Sequence, residues 1–207
     1  MTSNPVHSLI LVPQRYHRQP VISRLVSRYG LTVNIKAASL VWGSDSNGWF
    51  DLELSGSPEQ LTNSLSYLQG LGVDLVDLAI ANQIQPKAQK MTLLNSVEAK
   101  YQSHPQITHR NQKFTKIQWQ EQFPQLISQG QSHRLRLQLC ILKSYYQKPI
   151  ISQLVSRYGL TVNITSALLQ PDTEDDGWFE LDLWGRTQQL SYSLSFLERL
   201  GIPIWTN

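Results

Sequence analysis

The feature that most constrains the fold is a long internal repeat. The eleven residues LVSRYGLTVNI occupy positions 25–35 and return unchanged at 154–164. The match continues at a constant offset of 129 without a gap, so that GWF at 48–50 returns at 177–179. Each copy is long enough to fold alone, and two copies of this length are too few for a solenoid. The sequence predicts two copies of one small domain, at 1–79 and 133–207, joined by a linker at 80–132.

The composition points to an ordinary globular chain, with 41% hydrophobic and 16% charged residues. No apolar run approaches the roughly 18 residues of a membrane helix. The N-terminus lacks the basic region and cleavage site of a signal peptide. The single cysteine, Cys140, cannot form an internal disulfide or hold an iron–sulfur cluster. We expect a cytoplasmic protein without a membrane span, and we predict no metal and no cofactor.

The excess positive charge lies between the repeats. The net charge is +3, and residues 80–132 carry six Lys or Arg against two Asp or Glu. This charge is too small to indicate nucleic acid as a partner. We expect a solvated linker with two short helices, near 91–101 and 114–127. The alternative is a docking segment for an acidic protein or an anionic membrane surface.

Hydrophobic spacing predicts the element order βαββαβ in each copy. The stretch RLRLQLCIL alternates polar and apolar residues, which is typical of a strand with one buried face. Pro20 and Pro149 suit the first turn of a helix, and Gly30 suits the position after its end. Right-handed crossovers place both helices on one face of a four-stranded antiparallel sheet. The predicted fold class is α+β, with two ferredoxin-like, ACT-like sandwiches in tandem.

Alternation within the strands separates the core from a candidate recognition surface. Asn34, Trp49 and Asp51 are predicted to be exposed on the sheet face that the helices leave open. The matching residues of the second copy are Asn163, Trp178 and Glu180. An exposed tryptophan beside carboxylate and amide groups is typical of a binding surface. The alternatives are packing of the tryptophans against the linker or the other copy, and an ordinary hydrogen bond for each asparagine.

Other polar residues have simpler interpretations. Arg134 and Arg136 are predicted to lie beside Asp182 and Glu180, where an ion pair would account for them. The identical serines of the first helix, at 23, 27, 152 and 156, are expected at the surface.

The stretches PVISRLVSRYGLTVNIKAA and PIISQLVSRYGLTVNITSA resemble the NIL domain, and the resemblance extends over each repeat nearly end to end. That domain is the C-terminal regulatory module of methionine-import ABC transporter ATPases and also occurs in proteins of photosynthetic bacteria. The resemblance implies a domain that pairs with a second copy and binds methionine near the sheet edges, with Asn34 and Asn163 at the ligand-contacting asparagine. The sequence contains no GxxxxGK[ST] and no CxxCxxC motif, so the ATPase and iron–sulfur parts to which NIL domains are fused elsewhere are absent from it.

We therefore predict a non-enzymatic regulatory protein that binds a small amino acid, such as methionine, where two NIL domains meet, within the chain or across a homodimer. The predicted ligand contacts are Asn34, Ile35, Ala38, Trp49, Asp51, Asn163, Ile164, Ala167, Trp178 and Glu180. The alternative is a docking module that holds a protein partner on its open sheet faces, without a small ligand. An enzyme is not expected, because no paired carboxylates and no nucleophile–base arrangement return in both copies.

Overall fold

The computed structural model describes residues 5–41, 45–77, 131–170 and 176–206. The predicted linker helices at 91–101 and 114–127 lie outside these ranges. Within them, no helix has the length and apolar character needed to cross a membrane.

The predicted element order βαββαβ is present in both repeats. The elements of the first repeat are β1 (Val6–Val12), a 3-10 turn (Gln14–Tyr16), α1 (Val21–Ser27), β2 (Thr32–Leu40), β3 (Gly48–Ser55), α2 (Pro58–Gly70) and β4 (Asp74–Asp77). Those of the second repeat are β5 (Ser132–Ile141), a 3-10 turn (Lys143–Tyr145), α3 (Ile150–Tyr158), β6 (Thr161–Leu169), β7 (Gly177–Arg186), α4 (Thr187–Arg199) and β8 (Ile204–Thr206).

The repeated eleven residues form a helix-to-strand corner, as their pattern predicts. Pro20 and Pro149 lie immediately before α1 and α3. At this position the missing backbone N–H of proline removes no hydrogen bond of the helix. Gly30 and Gly159 adopt φ values of +68° and +65°, the left-handed conformation that ends a helix and disfavours other residues. The chain can therefore turn at once from the helix into β2 or β6.

The strands of the described ranges form one antiparallel sheet in the order β4-β1-β3-β2-β6-β7-β5-β8. The two repeats meet where β2 pairs with β6, with Ser39 opposite Leu168 at the centre of the contact. The pairing of domains is thus intramolecular and edge to edge. Strands β2 and β6 are each the edge strand of their own repeat. Where they pair, the backbone N–H and C=O groups of one edge form hydrogen bonds with those of the other.

A single hydrophobic cluster extends through both repeats. It includes Leu25, Leu68, Leu154 and Leu197, one from each helix, and each of these side chains is fully buried. Since all four helices contribute to the same cluster, they cover the same face of the sheet. The opposite face has no comparable cluster among the described residues and is called the open face below.

A β-bulge changes which residues of β2 and β6 face the helices. The register of β2 on β3 shifts between Ile35 and Ala37, and β6 shifts at the matching place. One extra residue inverts the alternation that follows it. Ala38 and Ala167, both predicted ligand contacts, consequently lie in the hydrophobic core, where they are 1% and 3% exposed.

Candidate functional site

The candidate site lies at the seam, which we define as the β2–β6 junction together with α1 and α3, the helices that cross it. Helix α1 packs on β6, and α3 packs on β2. The backbone N–H of Val162 donates to Ser23 Oγ at 3.1 Å, and that of Val33 donates to Ser152 Oγ at 3.2 Å. Both serines are buried, so their expected surface position is wrong: each helix crosses onto the strand of the other repeat. Serines 27 and 156 are exposed, as expected.

The repeated asparagines join the two repeats. Asn34 Nδ2 donates to the carbonyl oxygen of Tyr146 at 3.0 Å, and Asn163 Nδ2 donates to that of His17 at 3.1 Å. The asparagines are only 5% and 3% exposed, so the prediction that they are exposed on the open face is wrong. Both lie outside the short β2–β6 pairing, where the loop after the first strand of the other repeat covers them. Each amide keeps an oxygen and one N–H without a partner among the described residues.

A recess lies beside each asparagine and is built from both repeats. The first recess is lined by Asn34, Ile35, Tyr145, Tyr146, Lys148 and Phe179, among others. The second recess is lined at the matching positions by Asn163, Ile164, Tyr16, His17, Gln19 and Phe50. Their volumes are about 290 and 280 Å³, counting the open solvent at the mouth. The space enclosed by protein is enough for about one water molecule in each.

His17 gives the second recess a buried imidazole where the first has Tyr146. Its Nε2 lies 3.2 Å from both the Val12 carbonyl oxygen and the Gly48 amide nitrogen. In one tautomer Nε2 donates to the Val12 carbonyl oxygen, and in the other it accepts from the Gly48 N–H. Burial lowers the pKa of His17, and the hydrogen bond to Val12 offsets this only in part. The imidazole is therefore neutral at neutral pH.

Sequence reasoning did not identify the loop residues that complete the recesses. Tyr16, His17 and Gln19 follow β1 as Tyr145, Tyr146 and Lys148 follow β5, at the same offset as the rest of the repeat. A signal was thus present, because polar and aromatic residues return at matched loop positions.

The predicted tryptophan and carboxylate contacts lie on the open face and line neither recess. Trp49 packs with Leu9 and Ala37 and is 8% exposed, so its predicted exposure is wrong. Asp51 is likewise buried, whereas Trp178 and Glu180 are half-buried. The structure therefore brings together in the recesses only four of the predicted contacts: Asn34, Ile35, Asn163 and Ile164.

An ion-pair cluster occupies the open face of the second repeat. Arg134 Nη2 lies 2.6 Å from Asp182 Oδ2, and Arg136 Nε lies 2.9 Å from Asp182 Oδ1. Burial by itself would raise the pKa of Asp182, but the hydrogen bonds from Arg136 and Arg134 outweigh it and hold the pKa below its usual range. The predicted pairing of these arginines with Asp182 is confirmed.

We expect Asp182→Asn to remove a stabilising contribution that depends on pH. Because the folded-state pKa is lowered, the carboxylate contributes fully above its unfolded pKa of about 3.9 and loses its contribution as the pH falls through the lower folded value. At neutral pH the variant should lose about 1–2 kcal/mol of unfolding free energy. This loss is smaller than for a fully buried ion pair, because the arginines are partly exposed.

Urea unfolding of both proteins from neutral to acid pH measures this effect. The difference in unfolding free energy between them should shrink below about pH 4. A difference that stays constant down to about pH 2 would contradict the assignment.

The fold and the seam together define small mixed α/β domains that pair along one strand edge, each supplying part of two matched recesses. Residues 9–76 and 135–205 match the model of the NIL domain, and these segments make up more than half of the chain. The chain belongs to the NIL-domain family, with two NIL segments in tandem.

Two relatives are each similar to about a third of the chain. An uncharacterized protein of Synechocystis sp. is 42% identical over 77 residues, which cover 37% of this chain and 78% of that protein. An uncharacterized protein of Synechococcus elongatus is 32% identical over 73 residues, which cover 35% of this chain and 90% of that protein. A solved structure, provisionally assigned as a glycine cleavage system transcriptional repressor, aligns over 100% of this chain and 97% of its own with 12% identity and a TM-score of 0.28.

Proposed function

We propose that this protein is a non-enzymatic regulatory protein whose two ferredoxin-like, ACT-like repeats form two binding sites for a small amino acid, one in each recess. The observation that carries the proposal is the reciprocal pair of bonds from Asn34 to Tyr146 and from Asn163 to His17. Each bond joins a strand of one repeat to a loop of the other beside a recess. Both sites therefore need both repeats, which gives the duplication a purpose.

The lining of each recess suits an amino acid with an apolar side chain. The asparagine amide supplies both a donor for a carboxylate and an acceptor for an ammonium group. The carbonyl oxygen of Tyr146 or His17 supplies a second acceptor once its asparagine has turned to the ligand. Ile35 and Phe179, or Ile164 and Phe50, form an apolar wall for a side chain such as that of methionine.

Binding would be coupled to a movement of the loop. Because each recess encloses room for about one water molecule, an amino acid fits only if the loop after β1 or β5 moves outward and its carbonyl releases the asparagine. A ligand that binds the open arrangement better than the closed one shifts the population toward it. This coupling is the proposed basis of regulation. A cytoplasmic location is part of the proposal and is supported by the buried free thiol of Cys140.

A thermal-shift panel of the twenty amino acids tests the proposal. A ligand at a hundred times its dissociation constant should stabilise the protein by about 2.7 kcal/mol. The double variant Asn34→Ala/Asn163→Ala should lose this shift, measured against its own ligand-free melting temperature. Asn63→Ala, at an exposed position of α2, is the matched control and should keep it. A shift that survives the double variant would place the ligand elsewhere.

The second candidate function is a protein-docking module that uses the open face. Trp178 packs against Trp205 with ring centroids 5.2 Å apart, and the neighbouring Leu168 is 39% exposed. Such a surface suits an apolar partner. If no amino acid stabilises the protein, the result will favour this candidate.

A further inference from the structure

The two recesses are matched closely enough for their differences to be informative. Most lining positions are conservative pairs, such as Phe50 with Phe179 and Tyr16 with Tyr145. One difference changes the charge: the first recess has Lys148 where the second has Gln19. A charged ligand would therefore meet different surroundings in the two recesses.

Lys148 is a cation held at the first recess. Its Nζ lies 4.9 Å from the ring centroid of Tyr145, another lining residue, which keeps the ammonium group beside the recess. It has no carboxylate partner in the described part of the chain. The preceding residue, Gln147, is tied to β2 by a hydrogen bond from Lys36 Nζ to Gln147 Oε1. Lys36 also lies 4.0 Å from Glu53, so its own charge is balanced in part, whereas that of Lys148 is not.

Within the described ranges, the second recess has neither a lining lysine nor an equivalent of the hydrogen bond between Lys36 and Gln147. Gln19 is neutral, and its Oε1 already accepts a hydrogen bond from Arg24 at 2.9 Å. Thr165 stands where the first repeat has Lys36, and its hydroxyl donates to the Glu180 carbonyl oxygen of the neighbouring strand. Arg18 and Arg24 lie near Gln19 in the sequence, but neither of them lines the second recess. No cation lines the second recess among the described residues.

We propose that the recesses are unequal and that the first recess is the tighter site for ligands with a carboxylate, because Lys148 pairs with that group. This inference rests on the proposed function, since it assigns a preference to one of the two proposed sites. Asn34 would orient the ligand and Lys148 would supply the charge. The second recess would bind the same ligand more weakly, so that the protein responds over two concentration ranges.

Calorimetric titration of the intact protein with L-methionine and with methioninamide, which lacks the carboxylate, tests the inference. Methionine should bind in two steps whose affinities differ by about fivefold, the upper range for a partly exposed charge pair. Methioninamide should show no such difference. Lys148→Gln should weaken the tighter methionine site to the level of the other, and Gln19→Lys should strengthen the weaker one. Lys143→Gln removes a cation from the same loop without changing the lining and should leave both affinities unchanged.

The outcomes separate this inference from the proposed function. If methionine binds two equal sites and Lys148→Gln changes neither, the inequality is wrong while the amino-acid sites remain. If Lys143→Gln weakens binding as much as Lys148→Gln does, the effect is a general one of net charge and the assigned pairing is wrong. If methionine gives no heat of binding with any variant, and no shift in the thermal panel, both the inference and a methionine site fail.

Discussion

Replacing Leu25 with alanine should destabilise both repeats together, by about 2–5 kcal/mol. Leu25 is a fully buried residue of α1 and belongs to the cluster that extends through both repeats. Because α1 also packs on β6, the cavity left by the missing isopropyl group weakens contacts that both repeats share. We therefore expect the repeats to unfold as one cooperative unit.

Native-state hydrogen exchange resolved by residue measures this expectation. Amides of β3 in the first repeat and β7 in the second should both exchange faster, by the same factor. Leu154→Ala, at the identical position of α3, is the matched variant and should produce the same pattern. Faster exchange confined to the mutated repeat would show that the repeats unfold independently.

The double variant Ser23→Ala/Ser152→Ala should lose about 1–3 kcal/mol of unfolding free energy for each serine. The hydroxyl groups accept hydrogen bonds from the backbone N–H groups of Val162 and Val33. These N–H groups lie on the strand edges outside the β2–β6 pairing. Alanine would leave each of them buried without an acceptor, at the full cost of desolvation.

The chain contains its own control for this prediction. Ser27→Ala/Ser156→Ala makes the same chemical change on the same two helices at exposed positions. Its effect on the urea midpoint should correspond to no more than about 0.5 kcal/mol per site. If both double variants were destabilised equally, the loss could not be assigned to the hydrogen bonds of the seam, because Ser→Ala by itself raises helix propensity at all four positions.

The seam connects stability with the proposed function. The serines hold each helix against the strand of the other repeat, while the asparagines hold each strand against a loop of the other repeat. The serine bonds lie within packed helices, whereas the asparagine bonds end on loops that can move with less disruption of the core. A ligand could thus open a recess without separating the repeats.

The candidate site was predictable in part. Asn34 and Asn163 were identified because they return at the same position of a strand and match the asparagine of the NIL domain. The loop residues that complete each recess come from the other repeat, about 110 residues or more away along the chain. No local pattern shows which loop will lie beside which strand. Unbroken alternation along β2 would place Ala38 on the same face as Asn34, but the bulge after Ile35 turns Ala38 into the hydrophobic core.

The sequence by itself determined the duplication, the order of helices and strands and the corner between Pro20 and Gly30. These features follow from local steric preferences and hydrophobic periodicity, which short stretches of chain carry in full. Only the tertiary structure decided that the repeats join edge to edge, that α1 and α3 cross the seam, and that the asparagines become buried there. Those outcomes depend on strand edges and helix faces of separate repeats satisfying each other's hydrogen bonds and apolar surface.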